Sequence, residues 1–370
     1  MKILQIVMPT HGGIIHYTSQ LSNALSENNE VHVITSVGSE IELFNNSINL
    51  IQLHTGNIIR NFILNSIIIT RMMTFIKTIK KIDPDIIHLQ SYHPWICLFL
   101  PLLQKYKIVT TIHDVKSHIG TRAIDENIAR NIHIKYSDAF IVHGNLAKEI
   151  LEKKVTSKKI FVIPHGDFSF FNKITQYNYA EEAGNILFFG RIIDYKGLSF
   201  LIKAESRIAE SVPNIKIIIA GSGTFNESNY VINSDHFELH NRYIKDEDVG
   251  AFFQRTSVVI LPYLEGTQTG IIPIAYAFKK PVVVTNVGSI PEVVEEGVTG
   301  FIVPPGDADA LAEAIIKLLK DDRLRKEMGE NAYKKMQEEL SWDKIAEKTI
   351  EVYNSIYNMK ENKQLNYSDT

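Results

Sequence analysis

The chain has 370 residues, 45% of them hydrophobic and 22% charged, with a formal net charge of −3. That is a globular balance at a length that suits two domains, and it shows no nucleic-acid footprint over the whole molecule. The single cysteine, Cys97, excludes an intramolecular disulfide and fits a reducing compartment.

The N-terminal run Met1 to Met8 is short, apolar and followed by Pro9 without a small-residue cleavage site, so it is read as a first strand and not a signal peptide. Short β-branched runs then alternate with helical spacing. The strands expected are Ile3–Met8, Val31–Ser36, Leu50–His54, Asp85–Gln90, Lys107–His113, Ala139–His143 and Ile160–Pro164. Ile14, Tyr17, Leu21 and Leu25 mark one of the helices between them. This alternation argues for βαβ units on a parallel sheet. Residues 58–82 carry five cations and no acid among many Ile and Met residues, a pattern open to two readings: an amphipathic helix with a solvated face, or a membrane-surface contact. Charges and prolines interrupt every long apolar run, so no membrane span is expected.

From Asp167 to Gly184 no period is visible, and a linker is expected over 169–184, after a first domain of 1–168. A second series follows: Ile186–Phe189, Ile215–Ala220, Phe237–Leu239, Val258–Pro262, Pro281–Thr285 and Gly300–Val303. It predicts a second domain over 185–340, then a helix over 341–360 and a frayed polar tail over 361–370. The fold expected is α/β, with two Rossmann-like doubly wound parallel sheets facing across a cleft. Ligands of such sheets sit beyond the carboxyl ends of the strands.

The strand ends carry the candidate chemistry. Gly12-Gly13 follows the first strand without the third glycine and ribose-binding acid of a dinucleotide fold. His113-Asp114 ends another, where imidazole can act as a hydrogen-bond donor or base. Gly190-Arg191, with Lys196-Gly197 at an expected helix start, suits a diphosphate. Backbone N–H groups approach at the glycine, and two cations stand five residues apart. Gly221-Ser-Gly223 is a further glycine turn, and Glu265 is the one carboxylate of the loop leading to Gly270. His165-Gly166-Asp167 says little beyond a strand end. Asp83-Pro-Asp85 and Asp307-Ala-Asp309 read as structural, and no metal ligand set is expected.

Taken together, Gly12-Gly13, Asp83-Pro-Asp-Ile-Ile-His88, Thr111-Ile-His-Asp114, Ile163-Pro-His-Gly166, Gly190-Arg191 with Lys196-Gly197, Gly221-Ser-Gly223 and Ile290-Pro-Glu through Asp307 resemble the family 4 glycosyltransferases of the GT-B fold over roughly residues 1–358. The resemblance implies a retaining transfer from a nucleotide-sugar donor, UDP-linked by default, with no cofactor and no divalent metal. The acceptor expected is a cell-surface polysaccharide or a lipid-linked saccharide, with no nucleic acid as partner. The first domain would bind the acceptor, the second the donor, and the last helix would cross back to the first. It gives catalytic roles to His113, Arg191, Lys196 and Glu265. Donor contacts fall to Gly12, Gly13, Gly190, Gly221, Ile244, Gln268, Thr269, Gly270 and Ile271. A cytoplasmic enzyme is the expected setting, with contact to the inner membrane face through 58–82 one of the two readings of that segment.

One departure stands out. The family carries two glutamates with seven residues between them, the second holding ribose; eight residues beyond Glu265 this chain has Pro273. That leaves open a degenerate subunit scaffolding a partner transferase, and, as another enzyme class, a sugar-nucleotide hydrolase or epimerase.

Overall fold

The computed structural model describes residues 1–55, 69–115, 123–175, 178–224 and 235–368. The chain divides into two compact units, residues 1–166 with 342–370, and residues 167–341.

The first unit is built on a parallel sheet of β1 (Lys2–Ile6), β2 (Glu30–Ser36), β3 (Asn49–Leu53), β4 (Ile86–Leu89), β5 (Lys107–Thr111), β6 (Ala139–Val142) and β7 (Lys159–Val162) in the order β3-β2-β1-β4-β5-β6-β7. Its helices are α1 (Gly13–Leu25), α2 (Ile69–Ile82), α3 (Pro94–Phe99), α4 (Ala123–Tyr136) and α5 (Asn145–Glu152). Side chains alternate between sheet faces. Ile3, Val31, Val33, Ile86, Val109 and Ile141 join the core beneath α1, while Leu4, Ile6, Ile34, Ile87, Leu89 and Ile108 join the core holding Phe75, Ile76, Ile79 and Ile82 of α2. Both faces are covered, which is why these strands read as continuous apolar runs. In α2 the exposed residues Lys77, Lys80 and Lys81 lie on the face away from that core. Over Ile69–Ile82 the basic pattern is an amphipathic helix whose apolar stripe faces the sheet and whose lysines are exposed; residues 58–68 lie outside the described residues.

The second unit holds α6 (Phe170–Ile174), β8 (Asn185–Phe189), α7 (Leu198–Ser211), β9 (Lys216–Ala220), β10 (Phe237–His240), α8 (Asp246–Arg255), β11 (Val258–Leu261), α9 (Ile271–Ala277), β12 (Val282–Thr285), β13 (Gly300–Val303), α10 (Ala308–Lys320) and α11 (Asp322–Glu339). Its parallel sheet runs β10-β9-β8-β11-β12-β13. The Asp307 side chain accepts from the Ala310 N–H and caps α10, as the sequence suggests.

Two expectations are corrected. The start of the stretch read as a linker is structured: Phe170 and Phe171, with Phe168 just before it, are buried, and the α6 residue Asn172 donates to the Ala277 carbonyl. Three aromatics in a row of four have too much apolar area to leave in water. The tail read as frayed continues a helix, α12 (Trp342–Ser368). Nothing in 361–368 breaks it, since neither Gly nor Pro occurs there. Helix α12 belongs to the first unit, where Ile345, Val352, Tyr353 and Ile356 enter the core shared with α1. The Tyr353 hydroxyl lies 2.7 Å from His88 Nδ1, and the other ring nitrogen of His88 lies 2.7 Å from Thr111 Oγ1.

Candidate active site

In the second sheet the strand order reverses between β8 and β11, so these two carboxyl ends flank the switch point where open α/β sheets bind ligands. Gly190 and Arg191 leave β8, and the loop 263–270 leaves β11. A 3₁₀ turn, Asp194–Lys196, follows, and Gly197 then takes a left-handed φ of 69° before α7 begins at Leu198, one residue later than the sequence suggests. A Cβ on Gly197 would stand 1.8 Å from the Pro262 carbonyl oxygen, so only glycine lets the turn touch the end of β11. The Leu264 N–H donates to the Tyr195 carbonyl at 2.8 Å, locking turn and loop together.

Lys196 is held against this loop. Its Nζ sits 3.8 Å above the Tyr263 ring centroid, a cation–π contact that fixes a flexible stem without spending the ammonium protons. Arg191 is exposed, with one contact from Nη2 to the Tyr195 hydroxyl at 3.4 Å. The two cations expected to act together thus stand on one short turn. The glycines beside them do a different job from the one expected. The N–H groups of Gly190 and Gly221 already donate to the Ala220 and His240 carbonyls, and a Cβ on Gly221 would lie 1.9 Å from the Gly190 oxygen. They serve close packing of β8 on β9, and their N–H groups are not turned to an anion.

In the loop, Glu265 is exposed, while Thr267 is buried and its carbonyl accepts from the Ser289 N–H. The Gln268 Oε1 and the Ser289 Oγ are buried without a hydrogen-bond partner among the described residues. Thr269 Oγ1 accepts from the Ile271 N–H at 3.2 Å across Gly270. Ile271 also approaches the switch point: a Cβ on Gly190 would lie 4.0 Å from its Cδ1. Pro273, Ile274 and Ala275 are buried in α9, so the position where the second glutamate is missing lies in an apolar interior. Ile244 is buried too, at 7% exposure, and can contribute only an apolar wall.

In the first unit, β1 feeds Gly12, whose φ of 87° demands glycine, and Gly13, the first residue of α1. A Cβ at either meets nothing within 4 Å, so the space before this helix is bare. Behind it, three adjacent strands each end on an imidazole: His113 beyond β5, His143 beyond β6 and His165 beyond β7. Their ring centroids lie 5.0 Å (113–143), 4.4 Å (143–165) and 6.2 Å (113–165) apart, and each meets the edge of the buried Tyr17 ring at 5.1 to 5.3 Å. Trp342 of α12 closes the same ring at 5.2 Å and lies flush on Gly166, where a Cβ would come within 2.5 Å of it.

Hydrogen bonds fix part of the proton arrangement. His143 Nδ1 faces the Ile163 carbonyl at 3.0 Å and must carry its proton. Its Nε2, when the ring is neutral, then accepts from His113 Nδ1–H at 2.9 Å. Burial pushes His113 down to about 3 and His143 to about 4, and holds His165 well below the usual range; His143 lowers His113 further, and Asp114 opposes the shift in both His113 and His143. Imidazoles so placed are neutral at pH 7. Of this cluster, sequence reasoning singled out His113 alone. The available signal was that three successive strands end on histidine; their adjacency follows only from the sheet order.

Two family models match, "Glycosyl transferases group 1" over residues 170–335 and "Glycosyltransferase Family 4" over residues 11–166. An uncharacterized glycosyltransferase of Methanocaldococcus jannaschii is 27% identical over 96% of this chain and 99% of its own. A capsular polysaccharide biosynthesis glycosyltransferase of Staphylococcus aureus is 33% identical over 47% of each chain. Matches above 30% identity among these relatives span less than half of the relatives' own length. The fold is that of the Anabaena protein HepE solved with UDP-glucose, at a TM-score of 0.71 and 18% identity, covering 96% of this chain and 100% of that one.

Proposed function

The chain belongs to the group 1 glycosyltransferases of family 4, with the GT-B fold, and from that premise we propose a retaining, metal-independent transfer of a sugar from a UDP-sugar to a cell-surface polysaccharide or lipid-linked saccharide. The observation that carries the reading is the pair Arg191 and Lys196, set on one turn at the strand-switch point and unpaired with any carboxylate in the described contacts. The Anabaena neighbour's complex and the S. aureus relative support UDP and a polysaccharide product respectively.

Breaking a glycosyl–phosphate bond leaves an oxocarbenium-like sugar and an anionic diphosphate. On this reading Arg191 grips two phosphate oxygens and Lys196 meets the charge as it develops, the task a divalent ion performs elsewhere. In the first unit Gly12 and Gly13 leave bare backbone, and the family resemblance gives His113 a sugar hydroxyl. Glu265 is exposed and available to a second hydroxyl. With Pro273 where the family's ribose-binding glutamate stands, the unpartnered Gln268 Oε1 is the acceptor that replaces it.

Lys196→Ala is expected to lose about a hundredfold in kcat, the typical loss for one charge-stabilising donor, with an unchanged melting temperature. Gln268→Ala raises the donor KM and leaves kcat nearly intact. Wild-type turnover should be the same in EDTA; an absolute need for added Mn²⁺ would overturn the metal-independent reading. The buried Pro273 favours one second reading, a non-catalytic subunit supporting a partner transferase. It predicts no turnover with any donor, and partner activity indifferent to Arg191→Ala with Lys196→Ala. A lipid-linked acceptor would place the enzyme on the cytoplasmic membrane face, which co-sedimentation with anionic vesicles tests.

A further inference from the structure

The histidine cluster of the first unit is more than one substrate contact requires. Neighbouring parallel strands lie about 4.8 Å apart, and β5, β6 and β7 use that spacing to deliver three imidazoles to one point. One ring nitrogen of each lies within 4.8 Å of one from each of the others. At a tetrahedral ion with metal–nitrogen bonds of about 2.0 Å, ligand nitrogens stand roughly 3.3 Å apart; His113 Nδ1 and His143 Nε2 are already at 2.9 Å.

We propose that His113, His143 and His165 form a site for one divalent transition-metal ion of the zinc and cobalt class, with a fourth position left open.

Four features beyond proximity support it. The outer nitrogen of His143 is tied to the Ile163 carbonyl, the arrangement that orients a metal-binding imidazole and leaves its other lone pair inward. The proton between His113 and His143 has somewhere to go, because His113 Nε2 is a buried nitrogen with no hydrogen-bond partner among the described residues and can take it. The Asp114 carboxylate favours positive charge on both His113 and His143, and so favours a cation among them. Tyr17 and Trp342 wall the cluster with aromatic surface, which strengthens the attraction between cation and ligands. Three neutral nitrogen donors select the borderline ions Zn²⁺, Co²⁺, Ni²⁺ or Cu²⁺ over Mg²⁺ and Ca²⁺.

Binding rests on this geometry alone. Its consequence rests on the transferase reading: an ion at His113 withdraws that ring from the donor sugar, so loading inhibits transfer and chelation restores it.

The test uses the full chain, freed of any polyhistidine tag and stripped with EDTA, and titrates it with Co²⁺. The expected result is the visible absorption of a tetrahedral cobalt centre, saturating at one ion per chain and displaced by Zn²⁺. His143→Gln and His165→Asn should each weaken binding by about a hundredfold or more, in line with or beyond the loss of a supporting contact, while His32→Ala, elsewhere in the same unit, leaves it unchanged. A wild-type chain without such bands at millimolar Co²⁺ overturns the proposal whatever the variants do, as does binding that survives both substitutions. Zn²⁺ should also slow sugar transfer by the wild type, reversed by EDTA. Cobalt binding without turnover on any donor would sink the transferase reading and leave the site standing; turnover without binding would do the reverse.

Discussion

Gly197 shows how much one residue carries. Its φ of 69° and the 1.8 Å that would separate an added Cβ from the Pro262 oxygen mark the tight turn that holds Lys196 over Tyr263. Gly197→Ala must therefore shift the turn or the end of β11, at a cost of more than about 1 kcal/mol. We expect a melting temperature lower by a few degrees, together with a loss of rate approaching that of Lys196→Ala, measured by calorimetry and donor turnover. The placing of Arg191 and Lys196 on one strand-to-helix turn was legible because strand, glycine and cations are contiguous. The work of Gly190 and Gly221 was not, since it depends on which strands are neighbours. Gln268 and His143 show the same limit: an unpartnered oxygen or a shared proton is a property of surroundings, and those surroundings come from distant parts of the chain.

Among elements, α12 is the one whose place matters most to the first unit. Its apolar residues Ile345, Val352, Tyr353 and Ile356 recur at helical spacing and complete a core whose other buried members lie between Ile3 and Ile163. Tyr353→Phe keeps the ring and removes the hydroxyl, leaving a nitrogen of the buried His88 without that partner. The Gln90 amide stays 3.3 Å from that nitrogen, so a loss of about 1 kcal/mol is expected, the net worth of one hydrogen bond, read from chemical denaturation. The helical period of 341–357 was visible in the sequence, whereas its extension to Ser368 was not, because polar residues with no breaker look alike in a helix and in a tail. The helix α2 makes the converse point. Its apolar stripe reads equally as a core face or a membrane face until the sheet that covers Phe75 and Ile79 is known.

For the molecule as a whole, charge pairing sets a predictable acid limit in the second unit. Glu181 bridges the buried Lys280 and Arg325; burial raises its carboxyl, but those two cations outweigh it and hold it below 4.5. A carboxyl lowered on folding stabilises above its unfolded value and loses that contribution as pH falls through the folded one. The melting temperature of Glu181→Gln should therefore fall furthest below wild type near neutral pH, and the gap should close below about pH 4.5. A gap that stayed constant with pH would mean Glu181 acts by packing alone.

The two parallel sheets follow from the order of residues alone, because strands buried on both faces must be apolar runs and the helices between them must carry one apolar stripe. The cationic turn follows in the same way, since all its parts are adjacent in the chain. What meets across strands emerged only on folding: three histidines at one point, and an apolar interior in place of the expected second glutamate; the return of α12 to the first unit had been implied by the family resemblance. Local pattern follows from local chemistry, while the meeting of distant residues follows from strand order, which no single stretch of sequence encodes.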